Sequence, residues 1–187
     1  MKTESNVMYI ARLAVTLLLI TSVVALALAG VNAVTAPAIA KLTAEKTQAA
    51  IQAVLPGGGE EMSDLPAVDY EGADLVSKVY KGENGYAIEV TPGGFDNTIT
   101  MMVGVDTEGK VLGISIIKHT ETAGLGAVAA AGTPAGESFR GQFVGQSGSV
   151  AVTKDGGAMD AITGATITSR AICVGVNAAL ACAATLG

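Results

Sequence analysis

The stretch LVSKVYKGENGYAIEV, residues 75–90, alternates apolar and polar side chains on both sides of an Asn84-Gly85 pair. Period-two alternation marks a strand with one buried face. Asn-Gly tolerates the positive φ of a tight hairpin turn. The stretch therefore predicts two antiparallel strands joined by a short turn. A second hairpin is expected directly after it. TITMMVGVDTEGKVLGISIIK, residues 98–118, places 106–110 between two β-branched runs, with Gly109 free to take a left-handed turn position.

Further along, residues 124–146 are Gly/Ala-rich and weakly patterned, SVAVT at 149–153 predicts a short strand, and 169–186 are apolar enough for a buried helix. An antiparallel sheet with helices packed on it is the expected architecture, which is the α+β class.

The N-terminal part has a different character. Residues 13–40 contain no Asp, Glu, Lys or Arg, and 13–31 (LAVTLLLITSVVALALAGV) are apolar with only Thr16, Thr21 and Ser22 as mild polar interruptions. About 20 such residues span a bilayer core. The run is longer than the roughly 7–15 residues of a secretory signal's apolar core. An uncleaved transmembrane anchor is therefore expected rather than a signal cut near Ala27, Ala29 or Ala33. Lys2 and Arg12 precede the run, and the positive-inside bias predicts a single pass with the N-terminus cytoplasmic and the rest extracytoplasmic, on the cell (inner) membrane.

Residues 41–55 (KLTAEKTQAAIQAVL) are good helix formers that stop at Pro56 and the three glycines after it, which predicts a helical stalk. Glu60, Glu61, Asp64, Asp69, Glu71 and Asp74 follow without a basic residue among them. Their spacing matches no EF-hand loop, so a solvated acidic linker is expected. The organisation expected is a cytoplasmic N-terminus and anchor (1–40), a stalk (41–59) and one extracytoplasmic domain (60–187).

Composition excludes several functions. Lys+Arg number 11 against 17 Asp+Glu in 187 residues, so the chain lacks the basic surplus that a nucleic-acid partner requires. One histidine and two cysteines are too few for an in-chain four-ligand zinc site or a four-cysteine iron–sulfur cluster. Cys173 and Cys182 lie nine residues apart in the predicted last helix, on opposite faces and roughly 13 Å apart along its axis. That separation is too long for a disulfide.

Two stretches carry chemistry. DAITGATITS, residues 160–169, places Thr163, Thr166, Thr168 and Ser169 immediately ahead of the predicted C-terminal helix. Such hydroxyls cap helix starts, or one of them carries a group. KHTETAGLG, residues 118–126, offers Thr120, Glu121 and Thr122 at a strand end and glycines that let backbone amides approach a flat ligand. Either stretch alone is a weak signal.

Together they resemble the covalent-flavin subunits of two related respiratory complexes: the G subunit of the Rnf complex and the C subunit of the sodium-pumping NADH:quinone reductase. In that family Asp-x-x-(Ser/Thr)-Gly-Ala-Thr is read by a flavin transferase that joins one FMN through its phosphate to the last threonine. Here the motif is Asp160, Ala161, Ile162, Thr163, Gly164, Ala165 and Thr166. The resemblance implies a covalent FMN on Thr166, with Asp160, Thr163, Gly164 and Ala165 forming the motif. It implies that Glu121, Thr122, Gly124, Leu125 and Gly126 line the isoalloxazine ring. The family loop often has proline where this chain has Ala123.

Arg170 is expected to add positive charge beside the phosphate, and the free amides of a helix start favour a negative group. The chain has no nicotinamide fold, paired acid/base site or metal cluster in its sequence, so an electron relay is expected rather than a substrate-reducing centre. The implied setting is a membrane complex of several subunits that couples electron transfer between ferredoxin and NAD to sodium or proton movement. Small residues at Ala14, Ala25, Ala27, Ala29 and Gly30 suit packing of the anchor on partner helices. The quinone-reductase subunit, a secreted FMN-dependent reductase and a non-redox module with an ordinary cap at Thr166 are the competing readings.

Overall fold

A computed structural model describes residues 2–63 and 70–186. The acidic positions Asp64 and Asp69 of the expected linker lie outside the described residues. Backbone contacts divide the chain into two units, Met1–Ala44 and Glu45–Gly187.

The first unit is helical. Helix α1, Lys2–Val54, occupies all of its described length and continues into the second unit. Val7–Val54 is long and apolar enough to cross a membrane, with a mean hydropathy of 2.5 in its most apolar window. The hydroxyls of Thr16, Thr21, Thr35 and Thr43 donate to the carbonyls of Arg12, Leu17, Val31 and Ile39 at 2.8–2.9 Å. Each of these four hydroxyls is thereby satisfied within the helix, as an apolar surrounding demands. The large side chains from Val7 to Leu42 are exposed.

The second unit is built on an antiparallel meander of five strands in sequence order: β1 Glu60–Glu61, β2 Val76–Gly82, β3 Gly85–Val90, β4 Thr100–Asp106 and β5 Val111–Lys118. Its two faces are both covered. Val79, Tyr86, Ile88, Val90, Met101, Val103 and Val105 pack towards α3, Thr166–Leu186, with Ile172, Val176, Ala179 and Cys182. The alternate positions Tyr80, Ala87 and Met102 pack against Ala50, Ile51, Val54 and Leu55 at the end of α1. Successive strand residues point to opposite faces, so β4, buried at every position from Met101 to Val105, serves both layers.

Residues 45–54, expected as stalk, thus form one outer layer of the domain. The approach is close. A Cβ at Gly104 would overlap the Val54 carbonyl, so glycine is what lets the helix backbone lie on β4.

Three other expectations are corrected. The β2–β3 turn is Glu83-Asn84 rather than Asn84-Gly85, because Gly82 pairs with Gly85 and Gly85 pairs with Asp106 as a strand residue. Glu60 and Glu61 are an edge strand on Lys81 and Tyr80, not linker. SVAVT is no strand. Only Val152 makes a bridge, to Met159, and the chain then enters a 3-10 turn at Thr153–Asp155. The second hairpin is as expected, with Gly109 at φ 78°.

Within the Gly/Ala-rich stretch lies a helix that periodicity did not reveal, α2, Pro134–Gly141. The Thr133 hydroxyl accepts from Gly136 N at 3.4 Å, and Pro134 supplies a preset φ at the first position. Phe139 is anchored edge-on against Phe143, ring centres 5.5 Å apart. Helix α3 is also long and apolar enough to span a membrane, but two thirds of that span is buried against the sheet, which makes it a core helix. Cys173 and Cys182 are free and buried, as their spacing requires.

Candidate functional site

Three segments far apart in sequence meet at the start of α3. The first is the loop at Gly94 and Phe95, the second runs from His119 to Gly126, and the third runs from Asp160 to Arg170. Glu121 joins them. Its side chain is 7% exposed. Its Oε1 accepts from Phe95 N at 2.9 Å, and its Oε2 accepts from the Thr168 hydroxyl at 2.5 Å. Both oxygens are therefore spent inside the protein, and Glu121 acts as the clamp under the loop, not as a residue lining an open ligand surface. Gly126 is packed on this clamp, since a Cβ there would lie 2.5 Å from both Glu121 Oε2 and Thr168 Oγ1.

Above the clamp the loop is open. Thr122, Gly124 and Leu125 are exposed, Leu125 by 42%. The Leu125 side chain reaches the threonine motif: a Cβ on Gly164 would be 3.0 Å from Leu125 Cδ2. Gly164 has φ +77°, a conformation that side chains other than glycine's rarely adopt, so this glycine serves both the turn and the contact. The two motifs singled out in the sequence are thus adjacent.

The hydroxyls of 160–169 divide their work. Ser169 Oγ accepts from Ile162 N at 3.0 Å and donates to Ala165 O at 3.0 Å, closing the turn onto the helix. Thr168 is bound to Glu121. Thr163 is exposed and Ala165 is buried beneath the motif. Thr166 is half-buried and does not cap the helix. Among the described residues, its hydroxyl takes one hydrogen bond, from Lys154 Nζ at 3.3 Å.

Arg170, expected beside this hydroxyl, is instead held in a two-pronged pair with Asp155, Nε to Oδ2 and Nη2 to Oδ1 both at 2.6 Å. The pair raises the guanidinium's affinity for its proton and holds the Asp155 carboxyl below its ordinary range through the hydrogen bond from Arg170.

Sequence reasoning missed three participants. Gln142 grips the backbone of Asp160, accepting from its N–H at 2.7 Å and donating to its carbonyl at 3.3 Å. The Asp160 carboxylate is left exposed. Phe95 stands 64% exposed at the Glu121 clamp, and a lone aromatic in a PGGFDN loop of an aromatic-poor chain was its visible signal. Lys154 had no such signal. Three concavities, of about 630, 460 and 640 Å³, have linings that do not include Thr166, the first reaching His119 at the start of the loop together with Lys46, Ala50 and Ser115.

Comparison with known proteins bears on this arrangement. The pattern of an FMN-binding domain matches residues 94–181. Over 188 aligned residues the chain is 33% identical to the G subunit of the Na(+)-translocating ferredoxin:NAD(+) oxidoreductase complex of Acetobacterium woodii, covering 89% of this chain and 87% of that one. It is also 33% identical over 180 residues to the G subunit of the ion-translocating oxidoreductase complex of Methanosarcina acetivorans, covering 91% and 93%.

The chain belongs to the family of G subunits of ion-translocating oxidoreductase complexes. Its FMN-binding domain begins at Gly94, where the backbone meets Glu121, and extends past the motif to Ala181. All three segments of the site fall inside that span. In a shorter alignment, the G subunit of the proton-translocating ferredoxin:NAD(+) oxidoreductase complex of Clostridium ljungdahlii is 39% identical over 99 residues, 51% of each chain. The family thus includes members named for sodium and for protons.

Proposed function

We propose that this chain is an electron relay holding one FMN by a phosphoester on Thr166, within a membrane complex that couples electron transfer between ferredoxin and NAD to ion translocation. The observation that carries this is the state of the Thr166 hydroxyl. It sits at a helix start without capping it, half-buried, with an ammonium 3.3 Å away. Thr166 is the first helical residue, one past the capping position, and its hydroxyl is not engaged by the free amides of the helix start. It is available for a bond to phosphorus and faces a positive charge suited to the product.

The surrounding residues fit the flavin. Leu125 lies against Gly164 and offers an apolar surface next to Thr166. Thr122 and Gly124 are exposed on the same loop, and the clamp beneath keeps that loop in place. The bound flavin supplies one- and two-electron chemistry. The protein's part is to fix its position: Ser169 and Gln142 hold the motif backbone, and Glu121 ties the loop to α3. Maturation by a flavin transferase is supported by the exposed Asp160 carboxylate, which a second protein can read. The apolar α1 supports a single-pass anchor with Arg12 on the cytoplasmic side and the domain outside.

Intact mass tests the proposal. The full chain purified with its complex should exceed the sequence mass by one FMN less one water, and Thr166→Val should lose that increment and the in-gel flavin fluorescence while remaining folded. An unmodified wild-type mass, or fluorescence persisting in Thr166→Val, overturns it.

A further inference from the structure

The loop from Ala151 to Met159 is a compact knot. Thr153 N donates to Met159 O, Gly157 N to Val152 O and Met159 N to Ala151 O, at 2.9, 3.1 and 3.0 Å. A Cβ at Gly157 would overlap Ala151, so the loop closes as tightly as glycine permits. The knot is fixed to α3 by the Asp155–Arg170 pair, and this fixes the direction of its neighbour. With Asp155 turned to Arg170, the ammonium of Lys154 projects to Thr166.

We propose that Lys154 is the positioning cation for flavin attachment, holding the phosphate at the Thr166 oxygen during the transfer and pairing with the phosphodiester afterwards. The inference rests on the reading of Thr166 as the attachment residue. Its chemistry is that of an ammonium meeting a phosphate as a point charge. The donor must be a flavin whose phosphate is activated as an anhydride, of the flavin dinucleotide class.

The Thr166 oxygen forms a bond to the flavin-side phosphorus while that phosphorus's bond to the bridging anhydride oxygen breaks. The nucleoside monophosphate leaves with the electron pair, and the hydroxyl proton passes to solvent. Nothing is oxidised or reduced. Negative charge concentrates on the non-bridging oxygens in the transition state, next to the Thr166 oxygen to which Lys154 is already bound. Arg170, the other cation nearby, is neutralised by Asp155 and serves to aim the knot.

The test uses the full chain with flavin transferase and FAD, following mass gain over time. Lys154→Met should slow attachment by about tenfold, the effect of losing one charge-assisted contact at a solvent-exposed site. Lys154→Arg should restore most of the rate. Its exposed position predicts an unchanged melting curve for both variants. In the finished holoprotein, driven to completion by long incubation, the ³¹P resonance of the phosphodiester should move between wild type and Lys154→Met.

Attachment of Lys154→Met at the wild-type rate overturns the proposal. So does slowed attachment with an unmoved ³¹P resonance, which assigns Lys154 to recognition by the transferase. Failure of Lys154→Arg to recover shows that charge is not the property at work. A wild-type chain that gains no mass is the separate result that removes Thr166 as the attachment residue.

Discussion

Glu121 and Thr168, separated by 47 positions in the chain, share a buried hydrogen bond of 2.5 Å, and the same carboxylate accepts the amide of Phe95 through its other oxygen. One side chain thus closes the loop, the strand connection and the last helix into a single site.

Removing that carboxylate should be expensive. In Glu121→Ala, the Thr168 hydroxyl, 2% exposed, loses its acceptor, as does the Phe95 amide. A buried group left unsatisfied costs about 1–3 kcal/mol, and the part-buried Phe95 amide adds less, so a loss of about 2–4 kcal/mol is expected. Glu121→Gln keeps an acceptor for one partner and should lose roughly half as much. Denaturant melts of the detergent-solubilised chain read the difference. Equal stability of Glu121→Ala and wild type would show that the clamp bears no weight.

Two glycines of the same loop should respond differently. A methyl at Gly126 would press on Glu121 and Thr168, whereas nothing lies within 4 Å of a Cβ at Gly124. Gly126→Ala should therefore break the clamp and destabilise by several kcal/mol, while Gly124→Ala should cost only the left-handed backbone penalty of about 1–2 kcal/mol. Thermal melting of the two variants side by side checks this ordering, and a reversed order would contradict the geometry.

Gln142 and Asp160 should separate positioning from recognition. Gln142→Ala frees the motif backbone without touching its side chains, so flavin attachment should slow by a few fold and partly recover at long incubation. Asp160→Ala removes an exposed carboxylate, so folding should be unchanged while modification is impaired, less completely than by loss of Thr166. Intact mass and circular dichroism report the two effects. Full modification of Asp160→Ala would remove that residue from the motif.

The thiols give a pH prediction. Burial, with a contribution from nearby Asp155, pushes the Cys173 thiol from 9.0 up to about 11, and burial pushes Cys182 up as well. A folded-state thiol that holds its proton longer than the unfolded chain contributes stability that is fully present below pH 9 and declines as pH rises from about 9 towards 11. Stability should fall over that window. At pH 8 neither thiol should react with a polar thiol reagent until denaturant is added, and prompt labelling of the native chain would contradict their burial.

The sheet was legible because its signal is local. β2 and β3 carry a period-two pattern and β4 and β5 are β-branched runs around a turn, signals that each stretch displays by itself. The turn at Glu83-Asn84 was misplaced by one residue because Gly85 is claimed by its pairing with Asp106, a partner no window around it contains. Helix α2 announced its start with Thr133-Pro134, yet its eight residues are too few for a period to stand out from Gly and Ala.

The site divides in the same way. The two motifs could be read as strings, and Leu125 beside Gly164 brings them together. Lys154 and the inward turn of Glu121 could not be read. Each depends on which neighbours the fold supplies, and Arg170 was expected at Thr166 because Asp155 was not seen to hold it.

The span between Glu121 and Thr168 also sets an order of events during biosynthesis. At roughly 5–20 residues per second, the ribosome delivers Thr168 about 2–9 s after Glu121. Until then the carboxylate has no partner from the last helix, and Thr166, two residues ahead of Thr168, has not been made. The completed clamp and the threonine arrive together, after every strand of the sheet has been made. A nascent domain therefore cannot present Thr166 before its sheet strands exist.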